Sequence, residues 1–183
     1  LRNAHYANGD EIPGDLSNGD WQNANVGAQS VYDNDPVNLV DYGRLYNWYA
    51  VEDERGLCPS GWHVVADEEW LELELTMGMD ESEAYSTTCR APELGITLMA
   101  SSLDDPPWSG SNSTGFSGLP NGYRNTNGEF SHLGTNAFLW TSSQYGFSNV
   151  WSRTLGCMEF HIGRHNYNEK AFGAGVRCLK GSE

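Results

Sequence analysis

Basic side chains are scarce in this 183-residue chain. Ten Lys and Arg stand against 25 Asp and Glu, giving a formal net charge of −15. Nucleic acids and anionic membranes attract proteins through a basic face that releases counterions, so the composition argues against both as partners. No apolar run approaches the ~18 residues that a membrane span needs. The sequence has no Cys-x-x-Cys pair and no zinc-like spacing of cysteine with histidine. It also has no Gly-x-Ser-x-Gly elbow and no His-Glu-x-x-His helix, which removes the commonest hydrolase signatures. Paired acids such as Glu68-Glu69 and Glu72-Glu74 could in principle serve a glycosidase. They lie in one acidic segment that reads more simply as a solvated helix face, so the chain is not read as an enzyme.

Helix-patterned stretches are few, whereas Gly (21 residues), Asn and Ser are abundant, so turns and short strands should dominate. At this length one compact domain, residues 1–183, accounts for the whole chain. The charge is uneven: residues 1–105 hold 21 acids and 4 bases, residues 106–183 hold 4 acids and 6 bases. An acidic surface that keeps a secreted protein soluble is the simple reading. The alternative is a C-terminal contact surface kept free of like-charge repulsion.

The densest information lies in Tyr42-Gly43-Arg44-Leu45-Tyr46-Asn47-Trp48-Tyr49-Ala50-Val51, closely followed by Cys58-Pro59-Ser60-Gly61-Trp62-His63. The spacing of the rings predicts a helix over 42–51 that is apolar on both faces. Each ring can bury about 150–250 Å², so this is a core-building segment. A strand is expected at about 62–65 and a second helix over 67–77. In that helix Trp70, Leu73 and Met77 fall at i, i+3 and i+7, with Asp67 as its N-cap. Further strands are expected near 122–124, 134–141, 151–155, 159–163 and 175–179. Four cysteines, Cys58, Cys89, Cys157 and Cys178, read as two disulfides made in an oxidising compartment, with three connectivities open.

The motifs 42–50, Leu-Cys-Pro-Ser-Gly-Trp-His-Val (57–64), Asp-Glu-Glu-Trp (67–70), Thr-Gly-Phe-Ser-Gly-Leu-Pro-Asn-Gly-Tyr-Arg (114–124), Leu-Trp-Thr-Ser-Ser (139–143) and Val-Arg-Cys-Leu-Lys (176–180) occur in that order. Together they resemble the Fibrobacter succinogenes major paralogous domain, a module of secreted and surface bacterial proteins. The family is similar to C-type-lectin-like and formylglycine-generating-enzyme-like proteins. The resemblance implies an α+β, C-type-lectin-like fold: two helices packed on short, twisted antiparallel sheets with long loops. It implies that Cys58 pairs with Cys178, which leaves Cys89 with Cys157. Closing the roughly 120-residue loop between the first pair would stabilise the fold by about 4–5 kcal/mol in the chain-entropy model. The formylglycine-generating relatives use two closely spaced reactive cysteines, whereas Cys157 and Cys178 are far apart and better explained as bridge partners.

The resemblance and the lack of an initiating Met imply a piece of a larger secreted protein, extracellular or at a bacterial cell surface. The segment from Trp151 to Lys170 combines rings, amides and guanidinium groups suited to polysaccharide or protein contact. Its candidate ligand-binding residues are Trp151, Arg153, Glu159, His161, Arg164, His165, Asn166 and Tyr167, with Trp108 as a flanking platform. No cofactor is required. The acids Asp33-Asn34-Asp35 and Asp104-Asp105 read as Asx turns, with a structural calcium as the alternative. The functional expectation is a non-catalytic binding or adhesion module; a self-associating subunit of a surface filament is the competing reading.

Overall fold

The computed structural model describes residues 1–181, apart from the Tyr167 side chain. It is mixed α and β, with short helices around one large sheet. The helices are α1 (Asn18–Gln22), α2 (Asn38–Tyr42), α3 (Trp48–Val51), α4 (Asp67–Thr76), α5 (Glu81–Ala84) and α6 (Pro92–Leu98). The first strands are β1 (Gln29–Ser30), β2 (Leu45–Asn47), β3 (Trp62–Val64) and β4 (Cys89–Arg90). Next come β5 (Asn121–Arg124), β6 (Phe130–Leu133), β7 (Ala137–Tyr145), β8 (Asn149–Cys157) and β9 (His161–Glu169). Two short strands, β10 (Gly173–Ala174) and β11 (Cys178–Lys180), close the chain.

The large sheet runs β1-β2-β10-β5-β7-β8-β9-β4, with β6 paired to β5. Its centre is the antiparallel meander β7-β8-β9, three strands of nine residues each. Side chains alternate across a strand, and this alternation divides the interior in two. Phe138 and Trp140 face one core with Tyr46, Trp48 and Phe172, whereas Ala137 and Leu139 face the other with Trp70, Leu98 and Met99. Strand β11 pairs with β3 in a separate two-stranded sheet, and the Cys58–Cys178 disulfide lies beside this pairing. The second bridge joins Cys89 to Cys157, so both pairings implied by the resemblance are present and no cysteine is free. Among the described residues no helix is long and apolar enough to cross a membrane.

The helix expected over 42–51 does not form as one element. Gly43 has φ 75°, a left-handed conformation that ends α2. Residues 45–47 then enter the sheet between β1 and β10 and are buried on both faces. The many rings in this segment therefore reflect a central strand rather than a doubly packed helix. Asn47 starts α3: its Oδ1 accepts from the backbone N–H of Ala50 (3.1 Å) and of Ala28 (2.9 Å), while its Nδ2 donates to Val26 O (2.9 Å). The indole N–H groups are satisfied too, Trp48 donating to Thr141 O at 2.9 Å and Trp140 to Tyr46 O at 2.7 Å. The ring stretch thus ties the N-terminal third of the chain to the meander.

The second expected helix is present as α4, but Asp67 is not its cap. Ala66 holds the N-cap position, and its N–H donates to Glu69 Oε2 at 2.7 Å. The Asp67 N–H donates to Ser143 Oγ at 2.9 Å, which frees the Asp67 carboxylate for a different role. Among the described residues there are six α-helices instead of two, of which only α4 is longer than two turns.

Asn47→Ala removes a cap and strands two buried backbone donors. It is expected to destabilise the fold by about 2 kcal/mol or more, measured as a lower urea midpoint at unchanged slope.

Candidate functional site

Helix α4 carries acids at 67, 68, 69, 72 and 74, and the helical period splits them between two environments. Asp67 and Glu74, at i and i+7, turn inward, and Glu74 is fully buried. Glu68 and Glu72 stay exposed at i and i+4. The expected solvated face therefore holds for only part of the helix.

The buried acids meet arginines from three strands. Arg164 on β9 grips Asp67 through two contacts, Nη2–Oδ2 at 2.6 Å and Nε–Oδ1 at 3.1 Å. Arg90 on β4 grips Glu74 in the same way, at 3.0 and 3.1 Å. Arg153 on β8 bridges the two carboxylates, with Nη1 on Asp67 at 2.6 Å and Nε on Glu74 at 2.7 Å. Such planar two-point pairing is what the guanidinium fork favours. Burial pushes the Asp67 carboxyl up, but hydrogen bonds and charge from Arg164 and Arg153 outweigh it and hold it below the usual carboxylate range.

Arg164 also leads outward. Its Nη1 donates to Tyr85 O at 2.8 Å, and its guanidinium lies 3.8 Å from the centroid of the Trp151 ring. The Tyr145 ring meets Trp151 edge-on at 5.1 Å. These contacts fix Trp151 at one wall of a groove of about 560 Å³ between α4 and the meander. Glu68, Glu72 and Leu75 of α4 also line it, together with Tyr85, which is 55% exposed. A fixed indole, an exposed phenol and the exposed carboxylates of Glu72 and Glu68, the latter accepting from Ser143 Oγ at 3.1 Å, offer apolar faces together with hydrogen-bond acceptors, a lining suited to a hydroxyl-rich ligand.

The expected site residues do not form one constellation. Trp151 and Arg164 share the groove. Arg153 is fully buried in the ion network and cannot touch a ligand. Trp108 is a core residue packed with Leu98, Met99 and Leu155, not a platform. Glu159 is exposed in the β8–β9 turn, and His161 follows it, its Nδ1–H donating to Met158 O at 2.9 Å. From Trp151 to Cys157 at that turn the strand rise gives roughly 20 Å, too far for one small ligand to span. His165 and Asn166 are partly buried along β9; the Tyr167 side chain lies outside the described residues. Tyr85, Glu68, Glu72 and Leu75 were missed, although the i, i+4 spacing of 68–72 and 71–75 marks two adjacent rows of α4.

Two of the acids considered for calcium, Asp35 and Asp104, are engaged locally. Asp35 Oδ1 accepts from Val37 N–H at 3.0 Å, and Asp104 Oδ2 accepts from Ser101 N–H at 2.6 Å and Asn112 Nδ2 at 3.1 Å. Among the described residues no three His, Cys, Asp or Glu side chains converge as a metal site would require.

His165 is pushed down to about 4 from an ordinary 6.5, first by burial and then by the charges of Arg153 and Arg90. The unfolded chain therefore takes up this proton near pH 6.5 and the folded chain only near pH 4. Stability is complete above 6.5 and falls as pH drops towards 4. His165→Gln should flatten that fall in urea midpoints measured between pH 7 and 4.5. An equal fall in both proteins would mean that the imidazole is not its source.

No curated protein and no solved structure matches the chain. The family model for the Fibrobacter succinogenes major domain matches residues 1–180, and the chain belongs to that family.

Proposed function

We propose that this domain is a non-catalytic extracellular recognition module that binds a neutral, hydroxyl-rich polysaccharide in the groove between α4 and Trp151. The observation that carries the reading is the clamped Trp151 ring, held by Arg164 and Tyr145, in a groove that Glu68 and Glu72 also line. A sugar stacks its C–H face on such a ring and donates its hydroxyls to the carboxylates. The same two acids, in a chain of net charge −15, disfavour an anionic ligand there.

The fold reading is C-type-lectin-like: helices on an antiparallel meander, with the chain end paired back to β3 beside Cys58–Cys178. The two disulfides support a place outside the cell, free or at its surface. A second reading, a self-associating surface subunit, is favoured by one feature. The tip between β7 and β8 presents Phe147 fully exposed and Tyr145 48% exposed.

Trp151→Ala should abolish retention of the oxidised domain on neutral polysaccharides in affinity electrophoresis, a loss of at least tenfold. His161→Ala, at the far turn, should leave retention unchanged. Unretarded wild-type protein that self-associates in sizing experiments, and loses this with Phe147→Ser, would favour the subunit reading.

A further inference from the structure

The chain has eight arginines and 25 acids, so each arginine could find a carboxylate. Four do: Arg55, Arg90, Arg153 and Arg164. Among the described residues Arg2, Arg44, Arg124 and Arg177 make no ion pair. Arg124 is buried against the rings of Trp21 and Phe130, whose π faces attract its charge, and donates to Leu16 O (2.7 Å) and Gly128 O (2.9 Å). The other three line a single open cleft of about 580 Å³ on a face distinct from the Trp151 groove.

Each guanidinium carries five N–H donors, and most of these remain uncommitted. Among the described residues Arg2 engages one, with Val40 O. Arg44 engages two, with Arg2 O (3.1 Å) and Gln29 Oε1 (2.6 Å). Arg177 engages one, with Ser117 O at 2.6 Å, and its guanidinium lies 4.4 Å from the Phe116 ring centroid. These contacts, all to neutral groups, orient the three side chains without neutralising them. Burial penalises the charge on Arg177, a cost that an anion in the cleft would offset. One acid, Asp105, also lines the cleft and sets a limit on how much negative charge it tolerates. Three cations lining one cleft, none of them ion-paired among the described residues and with a single acid, Asp105, in the lining, have the composition of an anion site in so acidic a chain.

The walls favour a discrete anionic group over a peptide strand. Backbone groups at the cleft floor are already paired, Trp140 N–H with Gly175 O and Gly175 N–H with Phe138 O, both at 2.9 Å. Among the described residues the Gly175 backbone is thereby used on both its groups and offers a peptide no edge to extend. We propose that this cleft binds the carboxylate of an acidic sugar unit, a uronate of an acidic polysaccharide, through Arg2, Arg44 and Arg177. This site does not depend on the Trp151 groove, and the two differ in the charge of the ligand they accept.

The test is calorimetric titration of the oxidised domain with trigalacturonate, its methyl ester and triglutamate. Trigalacturonate should bind, more weakly as salt rises, and the methyl ester should bind at least tenfold more weakly. Arg44→Gln should weaken trigalacturonate at least tenfold. Arg2→Gln, at an exposed position where folding is not at stake, should weaken it several-fold, and Trp151→Ala should leave it unchanged. No binding, equal binding of the ester, or binding indifferent to Arg2→Gln and Arg44→Gln would overturn the site. Tighter binding of triglutamate would overturn its assignment to a sugar.

Discussion

Two carboxylates and three guanidinium groups lie together out of water where α4 meets β4, β8 and β9, and the arrangement of the candidate groove depends on them. Removing an ion from water costs several kcal/mol even after relaxation, and good geometry is the only repayment. Here the geometry is good: Asp67 and Glu74 each accept from two guanidiniums, and Arg153 joins the pairs into one network. Such a network contributes little net stability beside a hydrophobic replacement. Its effect is positional, because a helix shifted by one residue would strand buried charges. It holds one more positive than negative group, and the neighbouring His165 has its pKa lowered first by burial and then by the charges of Arg153 and Arg90.

The network connects the core to the surface. Arg164 is paired with Asp67 at one end and lies against Trp151 at the other, so the placement of α4 also sets the width of the groove. Tyr85 joins the same system through its carbonyl, which accepts from Arg164. An aromatic ring fixed before a ligand arrives loses little conformational entropy on binding, which would favour the proposed recognition at a groove beside a rigid buried cluster. The arginine cleft follows the opposite logic: its cations are oriented by carbonyls, an amide and an aromatic ring, and are left unneutralised.

Much of the fold was legible in the sequence. Of the strands from 121 onwards, β5, β7, β8 and β11 overlap the expected ranges, β9 runs six residues past its expected end, and β6 and β10 were not expected. Helix α4 followed from its 3.6-residue period, the Cys58–Cys178 bridge from the family motifs, and Cys89–Cys157 from the two cysteines left over. The 42–51 segment misled because a strand buried on both faces and a helix buried all round give the same unbroken apolar run. Gly43 and Asn47 carried the distinguishing signal, a left-handed stop and a cap four residues before the predicted helix end. The candidate site was legible only in part. Trp151 and Arg164 stood out as residues able to bind, but which arginines turn inward depends on acids up to 97 positions away on α4. No local pattern reveals that pairing, and Arg153 consequently looked like a ligand contact.

The account stands or falls on Asp67 and Arg164 acting as a unit. A double-mutant cycle in urea with Asp67→Asn, Arg164→Met and the pair measures this directly. We expect the double variant to lose at least about 1.5 kcal/mol less than the two single losses combined, because each single change strands a buried charge. Losses additive within about 0.5 kcal/mol would contradict the account, since the two residues would then not hold α4 and Trp151 together.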